Sequence, residues 1–132
     1  MIDEFYICIF SQFGPTYQFR LLDTRAYYHF STQKFILEKE DIPPLEHQGS
    51  KADVDDFWWE IEQIDIAHWQ EEYQNQAIPD GPCWQIEWFR GNKEGKSQGT
   101  SAFPNSPNPC YSPEFIKLIQ AVRKLLNWMP FG

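Results

Sequence analysis

The chain has 132 residues, 42% hydrophobic and 17% aromatic, enough to bury a core in one domain spanning 1–132 and too apolar for a disordered segment. No apolar run approaches the ~20 residues that cross a bilayer, and Met1 to Phe10 lacks the basic start and the length of a signal peptide, so a cytoplasmic protein without membrane contact is expected. The net charge of −8 is concentrated: Ala52 to Phe89 holds ten acids and no Lys or Arg, while the other nine acids and eleven bases sum to +2. A field of one sign disfavours direct nucleic-acid binding and favours a basic partner surface.

Phe5 to Phe10 is rich in β-formers and predicts a strand. Gly14-Pro15 marks a turn, Tyr17 to Leu22 a second strand and Asp23-Thr24 another turn. Ala26 to Phe30 and Lys34 to Glu38 predict two further short strands, which makes the first forty residues an antiparallel meander. Ile42 to Ser50 contains Pro43-Pro44 and Gly49 and reads as a loop. Asp53 to about Gln74 then predicts a long helix with Asp53 as its N-cap. Val54, Phe57, Trp58, Ile61, Ile64 and His68 recur at helical spacing and predict its core face. On the same period Trp59, Ile66 and Tyr73 form a second stripe, with Trp69 between the two.

Asp80-Gly81 predicts a turn before Cys83 to Phe89, whose alternation puts Trp84, Ile86 and Trp88 on the buried side of a strand. Gly91 to Gly95 reads as a hairpin loop returning through Ser97 to Phe103, and Pro104 to Pro109 as a rigid connector. The last helix carries signals at both ends: Ser112 as cap, Pro113 at its first position, and Asn127 as C-cap. Its apolar stripe is Phe115, Leu118, Ile119, Val122, Leu125 and Leu126, with Lys117, Arg123 and Lys124 facing out. The tail Trp128 to Gly132 is too apolar for a free end and is expected to pack on the domain. The order predicts an α+β fold: an antiparallel sheet, built from the N-terminal meander and the C-terminal hairpin, with two helices packed on one face.

Chemistry is sparse. His29, His68, Cys83 and Cys110 have no ligand-pair spacing, so no metal site and no cofactor is expected. Three Cys without a CxxC pair suggest small buried thiols, although a Cys83–Cys110 bridge stays open. Glycines match neither a P-loop nor a dinucleotide fingerprint. Paired carboxylates on a helix flank act as acid or base only when desolvated, so no catalytic residue is assigned. The Trp-bearing acidic helix is the best candidate, since aromatic anchors ringed by charge are the makeup of an interface hot spot.

The run Asp80-Gly81-x-x-Trp84-x-Ile86-Glu87, then Gly99-x-x-Ala102-Phe103-Pro104, then Phe115 to Leu126, resembles the C-terminal part of small bacterial α+β proteins, some of the immunity or inhibitor type. The likeness covers about a third of the chain and implies a partner-binding role without a catalytic residue. The expectation is therefore a small acidic module that binds a basic partner protein and is not an enzyme. Trp59, Ile66, Trp69 and Tyr73 would serve as anchors, and Asp55, Asp56, Glu60, Glu62 and Glu71 would steer the partner. An acidic mimic of nucleic acid, a small enzyme with a helix–sheet pocket and a homodimer through the Trp stripe are the alternatives.

Overall fold

A computed structural model describes residues 2–74, 81–104 and 111–132. Asp80, most of the Pro104–Pro109 connector and Cys110 lie outside the described residues, and with them the question of a Cys83–Cys110 bridge. The elements are β1 (Glu4–Phe10), β2 (Thr16–Leu22), β3 (Arg25–Ser31), α1 (Lys51–Gln63), β4 (Glu72–Gln74), β5 (Cys83–Arg90), β6 (Lys93–Thr100) and α2 (Pro113–Leu125). They form an α+β fold with one six-stranded sheet in the order β3-β2-β1-β5-β6-β4. Every pairing is antiparallel except β4 with β6.

β1 occupies the centre because both of its faces are apolar, as a strand covered on two sides must be. Register sets Phe5 between Leu21 and Trp88, Ile7 between Phe19 and Ile86, and Ile9 between Tyr17 and Trp84. Directly opposed residues share a face, so these nine side chains make one continuous layer. Both helices meet it: Phe57 and Trp58 of α1 lie edge-on to Phe5 at 5.2 and 6.1 Å, and Phe115 of α2 lies 5.0 Å from Trp84. The expected alternation of Trp84, Ile86 and Trp88 holds, and all three are buried. Two of those indoles lie across glycines on the neighbouring strand, since Trp84 pairs with Gly99 and Trp88 with Gly95.

On the opposite sheet face, Tyr6, Cys8 and Ile42 form a small second core, with Phe10, Tyr27 and Leu37 against it. Lys34 to Glu38, expected to be a strand, belongs to no ladder. Its backbone is instead pinned by side chains of β2. The Thr16 hydroxyl donates to Gln33 O at 2.8 Å and accepts from Phe35 N at 3.0 Å. Gln18 donates to Leu37 O at 2.8 Å and accepts from Leu37 N at 2.9 Å. The β2 backbone already bonds β1 and β3, so a further segment can reach this strand only through its side chains.

α1 starts one turn earlier than expected. Ser50 is the N-cap, and Asp53 is its capping-box partner: Asp53 N donates to Ser50 Oγ at 3.2 Å and Ser50 N to Asp53 Oδ2 at 2.9 Å. The helix also ends far earlier, at Gln63 rather than Gln74. Asp65 adopts a left-handed φ of 59°, which stops helical propagation, and a 3₁₀ turn follows over Ile66–His68. Tyr73 is therefore on strand β4, and the stripe Trp59, Ile66, Tyr73 does not exist as one helical surface. His68, expected on the core face, is exposed, with its Nδ1 2.6 Å from Asp65 Oδ1.

α2 starts at Ser112, whose Oγ accepts from Phe115 N. Its end is a Schellman motif: Asn127 N bonds Lys124 O, Trp128 N bonds Arg123 O, and Asn127 has a φ of 53°. Of the tail expected to pack on the domain, Phe131 does so, whereas Trp128 and Met129 stay exposed. Phe131 is buried against Tyr17, Arg123 Nε donates to Phe131 O at 2.8 Å, and Tyr28 donates to Pro130 O. No helix among the described residues is long and apolar enough to cross a membrane.

Candidate functional site: a groove between the helices

The buried face of α1 leaves the opposite side to solvent, and Trp59 is the residue that does not belong there. Val54, Phe57, Trp58 and Ile61 point into the core, whereas Trp59 is 62% exposed. A solvent-facing indole on a helix that already has a satisfied core face has no packing role of its own. It stands beside a groove between the two helices. Asp53 and Asp56 line one end together with Leu125, while Gln63 and Ile64 line the other with Lys117, so the helices run antiparallel.

Glu60 spans the groove to Lys124, with Oε1 2.5 Å from Nζ, and divides it into two hollows. One, of about 310 Å³, lies among Asp53, Asp56, Trp59 and Leu125. The other, of about 360 Å³, lies among Trp59, Gln63, Lys117 and Gln120. Ala121, 2% exposed, belongs to both; its short side chain leaves the floor low enough for a hollow to form. The two lips differ in charge. Asp53, Asp56 and Glu60 run along α1, and Lys117 and Lys124 along α2.

Of the residues the sequence singles out, Trp59, Asp56 and Glu60 meet in this groove, and Asp55 and Glu62 are exposed on the same helix. The others are elsewhere, because α1 ends at Gln63. Ile66 is 7% exposed and part of the core. Trp69 lies edge-on to Trp84 and stacked on Phe115, and its indole donates to Ile64 O at 3.2 Å. Tyr73 lies 5.9 Å from Trp84, and its hydroxyl accepts from Gln70 N at 2.9 Å. These three side chains close the end of the core instead of extending the Trp59 surface. Glu71 lines a different hollow of about 220 Å³ on the far sheet face, with Tyr6, Glu72, Gln85, Glu87 and Lys96. The α2 lip escaped the sequence reading. Its lysines read only as an outward face, and nothing local says which helix they will lie beside.

Chemistry of the reactive groups is muted. Burial pushes the Cys8 thiol up to about 11 and the Tyr6 hydroxyl well above its ordinary value. Cys83 is half-buried. His29 Nε2 lies 2.9 Å from Phe35 O. No group of three or more His, Cys, Asp or Glu among the described residues is arranged to hold a metal ion. No protein-family model and no curated protein matches the chain.

Proposed function

We propose that this protein is a small acidic binding module whose α1–α2 groove takes up a basic partner protein, in the manner of an inhibitor or immunity-type protein in the cytoplasm. The exposed indole of Trp59, set between two hollows at an acidic helix lip, is the observation that carries this reading. Trp is the side chain most enriched at interface hot spots, because one rigid ring removes a large apolar area from water on binding. Asp55, Asp56, Glu60 and Glu62 surround it and belong to the stretch from Ala52 to Phe89 that contains no base. Such a field accelerates encounter with a basic surface and is screened as salt rises.

The test compares proteins captured from the native host's lysate by the wild type, by Trp59→Ala and by the double reversal Asp56→Lys, Glu60→Lys. A basic protein held by the wild type, lost from both variants and lost at high salt supports the reading. Purified, that partner should associate at least tenfold more slowly with the double reversal, and with a flatter salt dependence. Equal capture by all three proteins would sink it.

A further inference from the structure

The α2 side of the groove, which recognition of a basic partner does not use, carries a separate inference. A wholly acidic surface would repel its own copy. This one is acidic along α1, at Asp53, Asp56 and Glu60, and basic along α2, at Lys117 and Lys124. In a symmetric dimer the same patch appears on both subunits, so the patch must complement itself about a two-fold axis. An axis across the helices would set α1 on α1 and acid on acid. An axis along the groove sets α1 of each copy over α2 of the other at the same level, so that Glu60 of each copy lies over Lys124 of the other.

We propose that this groove is a self-association surface and that its occupant is the same groove of a second copy of this chain. Glu60 and Lys124, 2.5 Å apart within one chain, then meet Lys124 and Glu60 of the second copy. The result is a four-charge square of alternating sign, in which every charge has an opposite neighbour along each side. Trp59, 62% exposed in the single chain, stands at the centre of the joined faces, where it loses contact with water. The two hollows beside it supply the space for the indoles. The inference concerns the face assigned above to a basic partner, and the dimer covers the acids such a partner would need. A basic partner would bind the separated chain in competition with the dimer.

Sedimentation equilibrium of the purified chain at about 0.15 M salt, where long-range repulsion is screened beyond ~8 Å, tests the inference without any partner. Expected is a concentration-dependent mass approaching twice the 15.7 kDa of one chain. Glu60→Lys places four lysines in the square and Lys124→Glu places four carboxylates there, so each variant alone should dissociate at least tenfold more readily. In an equimolar mixture the two positive charges of one copy meet the two negative charges of the other, which should recover the dimer as a heterodimer. Trp59→Ala should weaken it as strongly as either reversal. Near-ultraviolet circular dichroism confirms that each variant is folded; these side chains are partly exposed, so the fold does not depend on them. A wild type that stays at 15.7 kDa to about 1 mM overturns the inference, and so does a mixture no more associated than its components. Either result leaves the basic-partner reading standing, since that reading fails only on the capture comparison.

Discussion

Gly99→Ala should damage this protein more than a single methyl group suggests. Gly99 has no need of special backbone freedom; the constraint is the indole lying across it. A Cβ built there falls 2.3 Å from Trp84 Nε1, 2.6 Å from its Cε2 and 2.5 Å from Ala102 O. Ordinary contact is about 3.5–4.0 Å, so the ring must move by more than ~1 Å. It has nowhere to go: Trp84 is 1% exposed, its Nε1 donates to Ala102 O at 2.8 Å, and Phe103 and Phe115 lie against it. Overpacking of this kind costs about 1–3 kcal/mol, and breaking the indole hydrogen bond adds about 1. The sum is about 2–4 kcal/mol, which lowers the melting temperature of a chain this size by about 6–15 °C. Urea and thermal unfolding, followed by circular dichroism, measure it. Gly95 offers a cleaner cycle, because the three atoms nearest its Cβ position all belong to Trp88. Gly95→Ala should be partly rescued by Trp88→Leu, with a coupling of about 1–2 kcal/mol. At Gly99 the Ala102 carbonyl still blocks the methyl, so rescue by Trp84→Leu stays incomplete. A Gly99→Ala protein within about 0.5 kcal/mol of the wild type, together with strictly additive Gly95 and Trp88 effects, would refute this account of the paired strands.

Gln18→Leu should cost about 2–4 kcal/mol, because it strips the partners from the Leu37 amide and carbonyl and from the Tyr6 hydroxyl. Hydrogen exchange at Leu37 should accelerate at least tenfold; an unchanged rate would mean that Gln18 does not hold the segment. Alkaline pH should weaken the fold through Cys8. Its thiol has a folded value of about 11 against an ordinary 9.0, so the folded state holds the proton more tightly. That contribution is complete below pH 9 and fades as the pH rises to 11, a loss of about 2–3 kcal/mol across the window. Cys8→Ala should flatten the stability–pH curve between pH 9 and 10 in urea titrations, and an equally steep curve in the variant would contradict the assignment.

Elements governed by local patterning were readable from the chain. The alternation of Trp84, Ile86 and Trp88 and the i, i+3, i+4, i+7 spacing of Val54, Phe57, Trp58 and Ile61 each follow from a period that one face imposes. Caps were readable where a hydroxyl precedes a helix former, as at Ser112, and missed at Ser50 because the nearby Asp53 competes for the same role. The end of α1 was not readable. A glycine would have announced it, but the turn is made by Asp65 in a left-handed conformation, which an acidic residue in a helical run does not signal. That single residue moved Ile66 from an expected anchor stripe into the core, and set Trp69 and Tyr73 against the core's edge. Lys34 to Glu38 has the composition of a strand yet bonds to side chains, because no strand edge was left beside it. The groove combines both kinds of information: Trp59 was legible as surplus to the core face, whereas Lys117 and Lys124 became part of it only through antiparallel packing.

The central pair of strands, β1 beside β5, joins residues about eighty positions apart, as in Ile9 with Trp84. Closing so distant a contact is entropically slow and places the protein toward the slower end of mixed-class folding. During synthesis at roughly 5–20 residues per second, several seconds separate the appearance of Phe10 from that of Arg90. Through that interval β1 can pair with β2 on one side while its other edge, Phe5-Tyr6-Ile7-Cys8-Ile9, stays open. Such an edge is a template for pairing with neighbouring chains. The topology thus makes the nascent meander a natural client for chaperones, and places the aggregation hazard of this protein in the time before its second half exists.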